Sequence, residues 1–367
     1  MTVLVINPGS TSTRLALYGK TGDLFTERVA HNSAELARFP TVSDQLEFRK
    51  QVILELLHRR REFVPQEVSA VIGRGGLLHP LPGGVYRVNE AMKEDLASAR
   101  YGSHASNLGG LLADLLAAEL GVEAFIADPV VVDELSPLAR YSGLPEISRK
   151  SIFHALNQKS TAKKAAVRLG KEYSKCNLIV AHLGGGTSVG IHQHGRVTDV
   201  NNALDGDGPF SIERAGELPS GDWMRYILTH SEDVRDLQKK LTGRGGIVAY
   251  LGCNDARLIE QAIEAYLGGS EPEDSLDGKR CLEVVRAMCY QIAKEICSLA
   301  AVVAGELDAV VLTGGLVHNR RIVEEVGSRV RFLAPLLVFP GENEMEALAT
   351  AAMEAVKGME PVLEYRS

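Results

Sequence analysis

The amino-acid sequence predicts an α/β protein made of two similar halves, and three observations carry that expectation. Each half opens with an apolar run, a glycine-bearing turn and a second run, as Val5-Ile6-Asn7-Pro8-Gly9-Ser10-Thr11-Ser12 and again as Ala181-His182-Leu183-Gly184-Gly185-Gly186-Thr187-Ser188. Each opening leads into short apolar runs that alternate with segments of helical spacing, the pattern of strand–helix units. A length of 367 residues is more than one core usually organises. No Ser/Pro-rich linker separates the halves, so two closely packed domains are expected, with a boundary near 150.

In order along the chain, Val3–Asn7 reads as a buried strand, Pro8–Ser12 as a turn and Thr13–Tyr18 as the returning strand. A third strand is expected near Leu24–Val29. Leu46, Val52, Ile53, Leu56 and Leu57 form the apolar stripe of a helix over Val42–Phe63. Ala70–Gly73 is a short strand running into a glycine-rich loop. Leu108–Leu120 is a helix stopped by Gly121, and Ala124–Ala127 is the strand after it. The second half repeats the plan, with strands at Leu178–Leu183, Ser188–Gln193 and Arg196–Val200. Helices are expected near Trp223–Leu228, at Asp255–Leu267 and over the long stretch Lys279–Glu306. Ala309–Thr313 is a strand, Gly314-Gly315 a tight turn and Asn319–Val330 a helix. Leu336–Phe339 and Glu344–Lys357 complete a last strand–helix unit.

Composition excludes several function classes. A net charge of −7 leaves no basic footprint for nucleic acid. No stretch approaches the ~18 apolar residues of a membrane span, and the first residues lack the basic start of a signal peptide. The five cysteines form no CxxC pair. Cys281, Cys289 and Cys297 recur along one helical pattern, as small core residues would. This cysteine usage suits a reducing, cytoplasmic setting. His192-Gln193-His194 could form a metal pair on one strand face, but the following Gly195 makes an exposed hairpin end the expected reading.

The familiar nucleotide signatures are absent. Gly19-Lys20-Thr21 lies between strands and has Arg14 where a Walker A loop needs glycine, and no GxGxxG follows a strand. In their place stand two glycine hairpins in matching positions. Backbone N–H groups at such turns can approach a phosphate closely, and neighbouring hydroxyls add donors. Val310-Val311-Leu312-Thr313-Gly314-Gly315-Leu316-Val317-His318-Asn319 adds a strand, a double-glycine turn and a helix start. The set is similar to the two phosphate hairpins and adenosine loop of the sugar kinase, Hsp70 and actin superfamily.

Within that superfamily, Val5–Arg14 and Ile179–Ser188 resemble the two signatures of the acetate and butyrate kinase family. The resemblance runs over essentially the whole chain. Gly73-Arg74-Gly75-Gly76-Leu77-Leu78-His79-Pro80, Tyr101-Gly102-Ser103-His104-Ala105-Ser106-Asn107 and Gly208-Pro209-Phe210-Ser211 lie closer to its shorter, butyrate branch. It implies two actin/Hsp70-like (ribonuclease H-like) domains around a nucleotide cleft. The first would be 1–150 plus a returning helix, 345–367, with a phosphate hairpin and the acyl site. The second, 151–344, would carry the other hairpin and the adenosine site.

The resemblance also implies roles for residues. Arg74 would grip the acceptor carboxylate and the moving phosphoryl group, a task suited to its planar fork. His182 would donate a hydrogen bond to that group, and His104 would support the substrate. Asn7, Asp128 and Glu344 would lie at Mg²⁺, with Glu342 and Glu346 close enough in sequence to contend for the last place. Gly9, Ser10, Thr11, Gly184, Gly185, Gly186 and Thr187 would hold phosphates, and Gly314, Gly315 and Asn319 the nucleoside. Acetate kinases carry a second arginine where Pro219 stands here, and Arg214 is expected to supply that charge.

The expected reaction is direct in-line transfer of a phosphoryl group from ATP to butyrate, reversibly, with Mg²⁺. The alternatives are an isobutyrate, acetate or propionate kinase, or a non-catalytic actin-like nucleotide switch. The resemblance further implies a homodimer or a larger assembly.

Overall fold

Thr2–Pro8 is buried at every position, as a strand with neighbours on both sides must be. In the computed structural model this strand, β1, lies in a seven-stranded sheet. The structure describes residues 1–204, 207–270 and 276–367, which form two compact units, Met1–Asp133 with Asn343–Ser367, and Glu134–Glu342.

The first unit continues with β2 (Ser12–Gly19), β3 (Gly22–Ala30), a short α1 (Ser33–Leu36), α2 (Leu46–His58), β4 (Val68–Arg74) and β5 (Val85–Arg87). Helices α3 (Glu90–Ala97) and α4 (Asn107–Leu120) precede β6 (Glu123–Ala127). The second unit holds α5 (Ala155–Arg168), β7 (Asn177–Leu183), β8 (Thr187–Gln193) and β9 (Arg196–Val200). It goes on through α6 (Ser220–Thr229), α7 (Val234–Leu241), α8 (Gly246–Leu251), α9 (Ala256–Leu267) and α10 (Gly278–Ala300). Strand β10 (Ala309–Gly314), α11 (Arg320–Val330) and β11 (Leu336–Pro340) complete it, and α12 (Glu344–Val356) and β12 (Val362–Glu364) return to the first unit.

The two sheets share one plan. In the first, the order is β12-β5-β6-β4-β1-β2-β3; in the second it is β11-β10-β7-β8-β9. Each has an antiparallel meander of three strands, and the first strand of each meander pairs on its other side with parallel neighbours, β4 then β6, or β10 then β11. The repeat read from the two glycine hairpins is therefore a repeat of topology. Gly121 ends α4 with φ 68°, a left-handed position that glycine takes without strain. Cys281 and Cys289 are wholly buried in the second unit's core, beside Ile292 and Ile296.

Residues 134–150, which the sequence reading gave to the first domain, belong to the second unit. They are tied there by Glu134, whose carboxylate meets buried Lys159 Nζ at 3.0 and 3.1 Å and accepts from Val197 N–H at 2.7 Å. Arg149 adds an ion pair to Asp199 at 2.9 Å. The reading of His192 as part of an exposed hairpin end is corrected: the side chain is fully buried, and only His194 is exposed at the turn. Burial, aided by the Lys159 charge, pushes the His192 pKa down to about 3, so the ring is a neutral core group.

Candidate active site

In the first unit, β1, β4 and β6 run parallel and their carboxyl ends share one edge. The register sets Ile6 beside Gly73 and Gly73 beside Ile126, so Asn7, one residue short of the end of β1, lies level with Arg74 and Ala127, which end their strands, and Asp128 follows. Such edges are where open α/β sheets bind ligands. The N-terminal turn of α12 brings Glu344 to the same edge. Asn7 Nδ2 donates to Glu344 Oε2 at 2.8 Å, and the Arg74 guanidinium meets both carboxylate oxygens. Of the three glutamates open to the sequence reading, Glu344 is the one that meets Asn7 and Arg74. Glu346 is exposed, and the Glu342 carbonyl accepts from Asn157 Nδ2 at 2.6 Å in the second unit.

Asp128 has φ 38°, in the left-handed region, and its Oδ1 accepts from Gly84 N–H at 2.8 Å. The pairing pins the loop after β6 to the loop before β5. His104 lies on an exposed loop ahead of α4. Ser106 N–H donates to its Nδ1 at 3.2 Å, which leaves the neutral ring's proton on Nε2. Partial desolvation, and then the Arg74 charge, hold its pKa below the ordinary histidine value. At the first hairpin, Ser10 and Thr11 are exposed, and Gly9 N–H closes the turn on Ser12 O at 2.7 Å.

In the second unit, the turn after β7 is closed by Gly184 N–H to Gly186 O at 3.2 Å. The segment after β9 cradles it. Ser211 Oγ donates to Gly185 O at 2.6 Å, and Glu213 N–H donates to the same oxygen at 3.3 Å. Arg214 lies flat against Gly186, where an added Cβ would stand 2.3 Å from Nη1 and 2.5 Å from Cζ. A further Arg214 contact, from Nη1 to the Ala203 carbonyl, holds the guanidinium there. Thr187 Oγ1 is buried and has no hydrogen-bond partner among the described residues, an arrangement that points to a ligand.

Beside this turn the structure adds a residue that the sequence reading missed. His154, just ahead of α5, stacks on His182 with centroids 3.8 Å apart and planes at 10°. The hydrogen-bond network assigns both tautomers. Ser188 Oγ accepts from Gln158 Nε2 at 2.8 Å and from His154 N–H at 3.5 Å, so with both lone pairs taken the hydroxyl donates to His154 Nδ1, also at 2.8 Å. Neutral His154 therefore carries its proton on Nε2. Asn157 Nδ2 is taken by Glu342, so Asn157 Oδ1 accepts from His182 Nδ1 at 2.7 Å. Neutral His182 therefore has an unprotonated Nε2, and this atom would lie 3.1 Å from a Cβ on Gly184.

At the third element, Gly314 has φ 100°, and a Cβ there would stand 2.3 Å from Leu183 O. Gly315 faces open space, with nothing within 4 Å of where a methyl would stand. Asn319 caps α11, its Oδ1 accepting from Ile322 N–H at 3.2 Å, and its Nδ2 donates to Glu260 at 2.9 Å.

Comparison with known proteins follows the same lines. The Acetokinase family profile matches residues 145–349. Butyrate kinase 2 of Clostridium acetobutylicum is 46% identical over 364 residues, covering 99% of both chains. A probable butyrate kinase of Clostridium botulinum is 46% identical over 363 residues, again covering 99% of each. Among solved structures, the acetate kinase of Porphyromonas gingivalis superposes with a TM-score of 0.73 at 18% identity, over 96% of this chain and 99% of that one. A propionate kinase of Francisella tularensis gives 0.70 at 18% identity, over 95% and 98%. These two share the fold, which is the actin/Hsp70-like architecture expected from the hairpins. By full-length identity and by profile, the chain belongs to the acetokinase family.

Proposed function

We propose that this protein transfers the terminal phosphoryl group of ATP to butyrate, giving butyryl phosphate and ADP, and that it runs the reaction in both directions. The observation that carries the reading is the 46% identity to a butyrate kinase over 99% of both chains. A carboxylate oxygen attacks the terminal phosphorus while the bond to the ADP oxygen breaks. The acceptor is already ionised, so the protein has to screen charge and align the groups; it needs no general base.

Arg74 holds the acceptor carboxylate and the incoming phosphoryl oxygens through its two-pronged fork. Arg214, against the second glycine turn, supplies the other cationic contact to the phosphoryl group. In a neutral histidine pair the hydrogen-bond donor is His154 Nε2–H, and His182 positions that ring by stacking. The donor role expected of His182 would require its imidazolium form, because Asn157 already takes its Nδ1 proton. Ser10, Thr11, Gly184, Gly185, Gly186 and Thr187 hold phosphates, the orphan Thr187 hydroxyl among them. The open face of Gly315 leaves room for the nucleoside.

The oxygen donors Asn7, Asp128 and Glu344 suit Mg²⁺. Among the described residues no group of three acidic, His or Cys side chains forms a protein cage for a metal. Mg²⁺ characteristically binds with one or two carboxylates and completes its shell with substrate phosphates and water. It would neutralise charge on the ATP phosphates. No helix among the described residues is long and apolar enough to cross a membrane, and the five cysteines are free. Both observations suit a cytoplasmic enzyme.

A hydroxamate assay with ATP, Mg²⁺ and acetate, propionate, butyrate, isobutyrate and valerate tests the reading. Butyrate is expected to give the highest kcat/KM. Preference for another acid would move the substrate assignment within the family, and no acyl phosphate from any acid would overturn the kinase.

A further inference from the structure

Arg49, on α2, is the largest side chain in the first unit with no solvent exposure. Helical spacing sets position 49 on the face of Ile53 and Leu57, but the sequence does not show what a charged side chain meets there. Its five N–H donors all go to neutral oxygens. Nε and Nη2 bond Gln45 Oε1 at 3.1 and 2.9 Å, and Nη1 reaches Thr13 Oγ1 at 3.1 Å. The remaining contacts are to backbone carbonyls of the first hairpin. Nη1 meets Gly9 O at 2.9 Å and Ser12 O at 3.4 Å, and Nη2 meets Ser10 O at 3.2 Å. Among the described residues no carboxylate pairs with it. A guanidinium stays protonated in proteins, so this is a buried positive charge with no counter-ion in its own unit. Such a charge is costly to keep unless something offsets it.

The geometry of the peptide shows what the contacts achieve. In a trans peptide the C=O and the following N–H point in opposite directions, and this chain has no cis bonds. Turning Gly9 O and Ser10 O inward onto Arg49 therefore turns the N–H groups of Ser10 and Thr11 outward. Both residues are exposed, and no protein acceptor takes either N–H among the described residues. Two successive outward N–H groups with a fixed cation behind them form an anion-binding concavity.

We propose that Arg49 is the positioning residue of the first phosphate hairpin: it holds the Gly9 and Ser10 carbonyls so that the Ser10 and Thr11 amides face a terminal phosphate of the nucleotide, and its charge is offset only when that phosphate arrives. The proposal rests on the kinase reading above. Arg49 touches neither substrate. It acts through the two amides.

The test is calorimetric binding of ATP and AMP, together with KM for ATP and for butyrate, on wild type, Arg49→Met, Arg49→Lys and Gln45→Met. Wild type that fails to bind ATP would sink the kinase reading itself, before any variant is considered. In Arg49→Met, ATP affinity is expected to fall about tenfold or more, the scale of one or two lost charge-assisted hydrogen bonds. AMP affinity and KM for butyrate should stay within about twofold, because the nucleoside and the acceptor are held elsewhere. Arg49→Lys should recover part of the loss, since charge returns without the fork. A merely structural role would weaken ATP, AMP and butyrate together. That pattern, or unchanged ATP affinity in folded Arg49→Met, overturns the proposal. Should Arg49→Met not fold, Gln45→Met keeps the arginine and loosens its grip, and the same selective loss of ATP affinity is required of it.

Discussion

Arg74 meets Glu344 with both prongs of its guanidinium, Nη1 standing 3.3 Å from Oε2 and Nη2 3.2 Å from Oε1. A carboxylate thus occupies the fork that an acceptor carboxylate would need, and Asn7 Nδ2 steadies the same oxygen. On the proposed function, substrate binding would exchange one carboxylate for another and would free Glu344 to turn toward the metal-bearing phosphates.

That exchange makes the pair separable by kinetics. Arg74→Ala is expected to lower kcat/KM by ~10²–10³-fold, or about 3–4 kcal/mol. Arg74→Lys should restore little, since an ammonium cannot make the fork. Glu344→Gln removes the competing anion, so KM for butyrate should fall while the Mg²⁺ concentration needed for half-maximal rate rises. Initial rates of acyl hydroxamate formation across butyrate and Mg²⁺ series check all three, and a Glu344→Gln variant with both constants unchanged would refute the exchange.

The stacked histidines give an asymmetric prediction. His154→Ala should cut kcat by about 10²-fold with little change in KM, because a donor to the transition state is lost. His182→Gln retains a side chain able to pack on His154 and should cost about tenfold or less. Equal losses in the two variants would return the donor role to His182.

Gly186 offers a way to move Arg214 without deleting it. A methyl at this position would stand 2.3 Å from Nη1, and the flexible end of the arginine can retreat. Gly186→Ala is therefore expected to fold with a near-normal Tm and to lose about as much activity as Arg214→Ala. The double variant should be no worse than either single one, a non-additivity readable from kcat/KM.

Two groups, one half-buried and one fully buried, set opposite pH limits on stability. Glu295 has its pKa raised to about 7, first by burial and then by Asp207, with Arg149 opposing. A raised carboxyl favours the folded state at low pH and loses that advantage as pH rises through 7. Glu295→Gln should therefore stabilise the protein at pH 8 by about 1 kcal/mol, after discounting for partial exposure, and change it little at pH 4.5. His192 is depressed to about 3, so its contribution is present above pH 6.5 and declines below it. The decline is on the order of 3 kcal/mol by pH 4. Urea midpoints at pH 8, 6.5 and 4.5 measure both limbs.

The parts of the fold legible in the sequence were those whose local pattern matches their environment. The two glycine hairpins read correctly as strands and turns because buried strands show continuous apolar runs. Helix α5 escaped for a physical reason. Its buried face carries Asn157, Gln158, Lys159 and Thr161, so the apolar periodicity that marks a helix is missing. Those side chains are inside because they pair with Glu134, Ser188, His182 and Thr313. His154 was lost with α5. Strands β5 and β12, of three residues each, are too short to show alternation. Arg49 shares the face of Ile53 and Leu57 by helical spacing, but only tertiary structure shows that it meets carbonyls there.

The return of residues 343–367 to the first unit has a consequence for how the chain is made. Helix α12 packs on β1, β4 and β6, and β12 extends the sheet beside β5. A ribosome delivers residues 1–133 first, then spends about 10–40 s on residues 134–342 before the closing helix emerges. Through that interval the nascent sheet has an uncovered apolar face, a window in which chaperones would be engaged. Glu344 follows both stretches in synthesis, so a chain stopped before it lacks the Asn7–Glu344–Arg74 cluster.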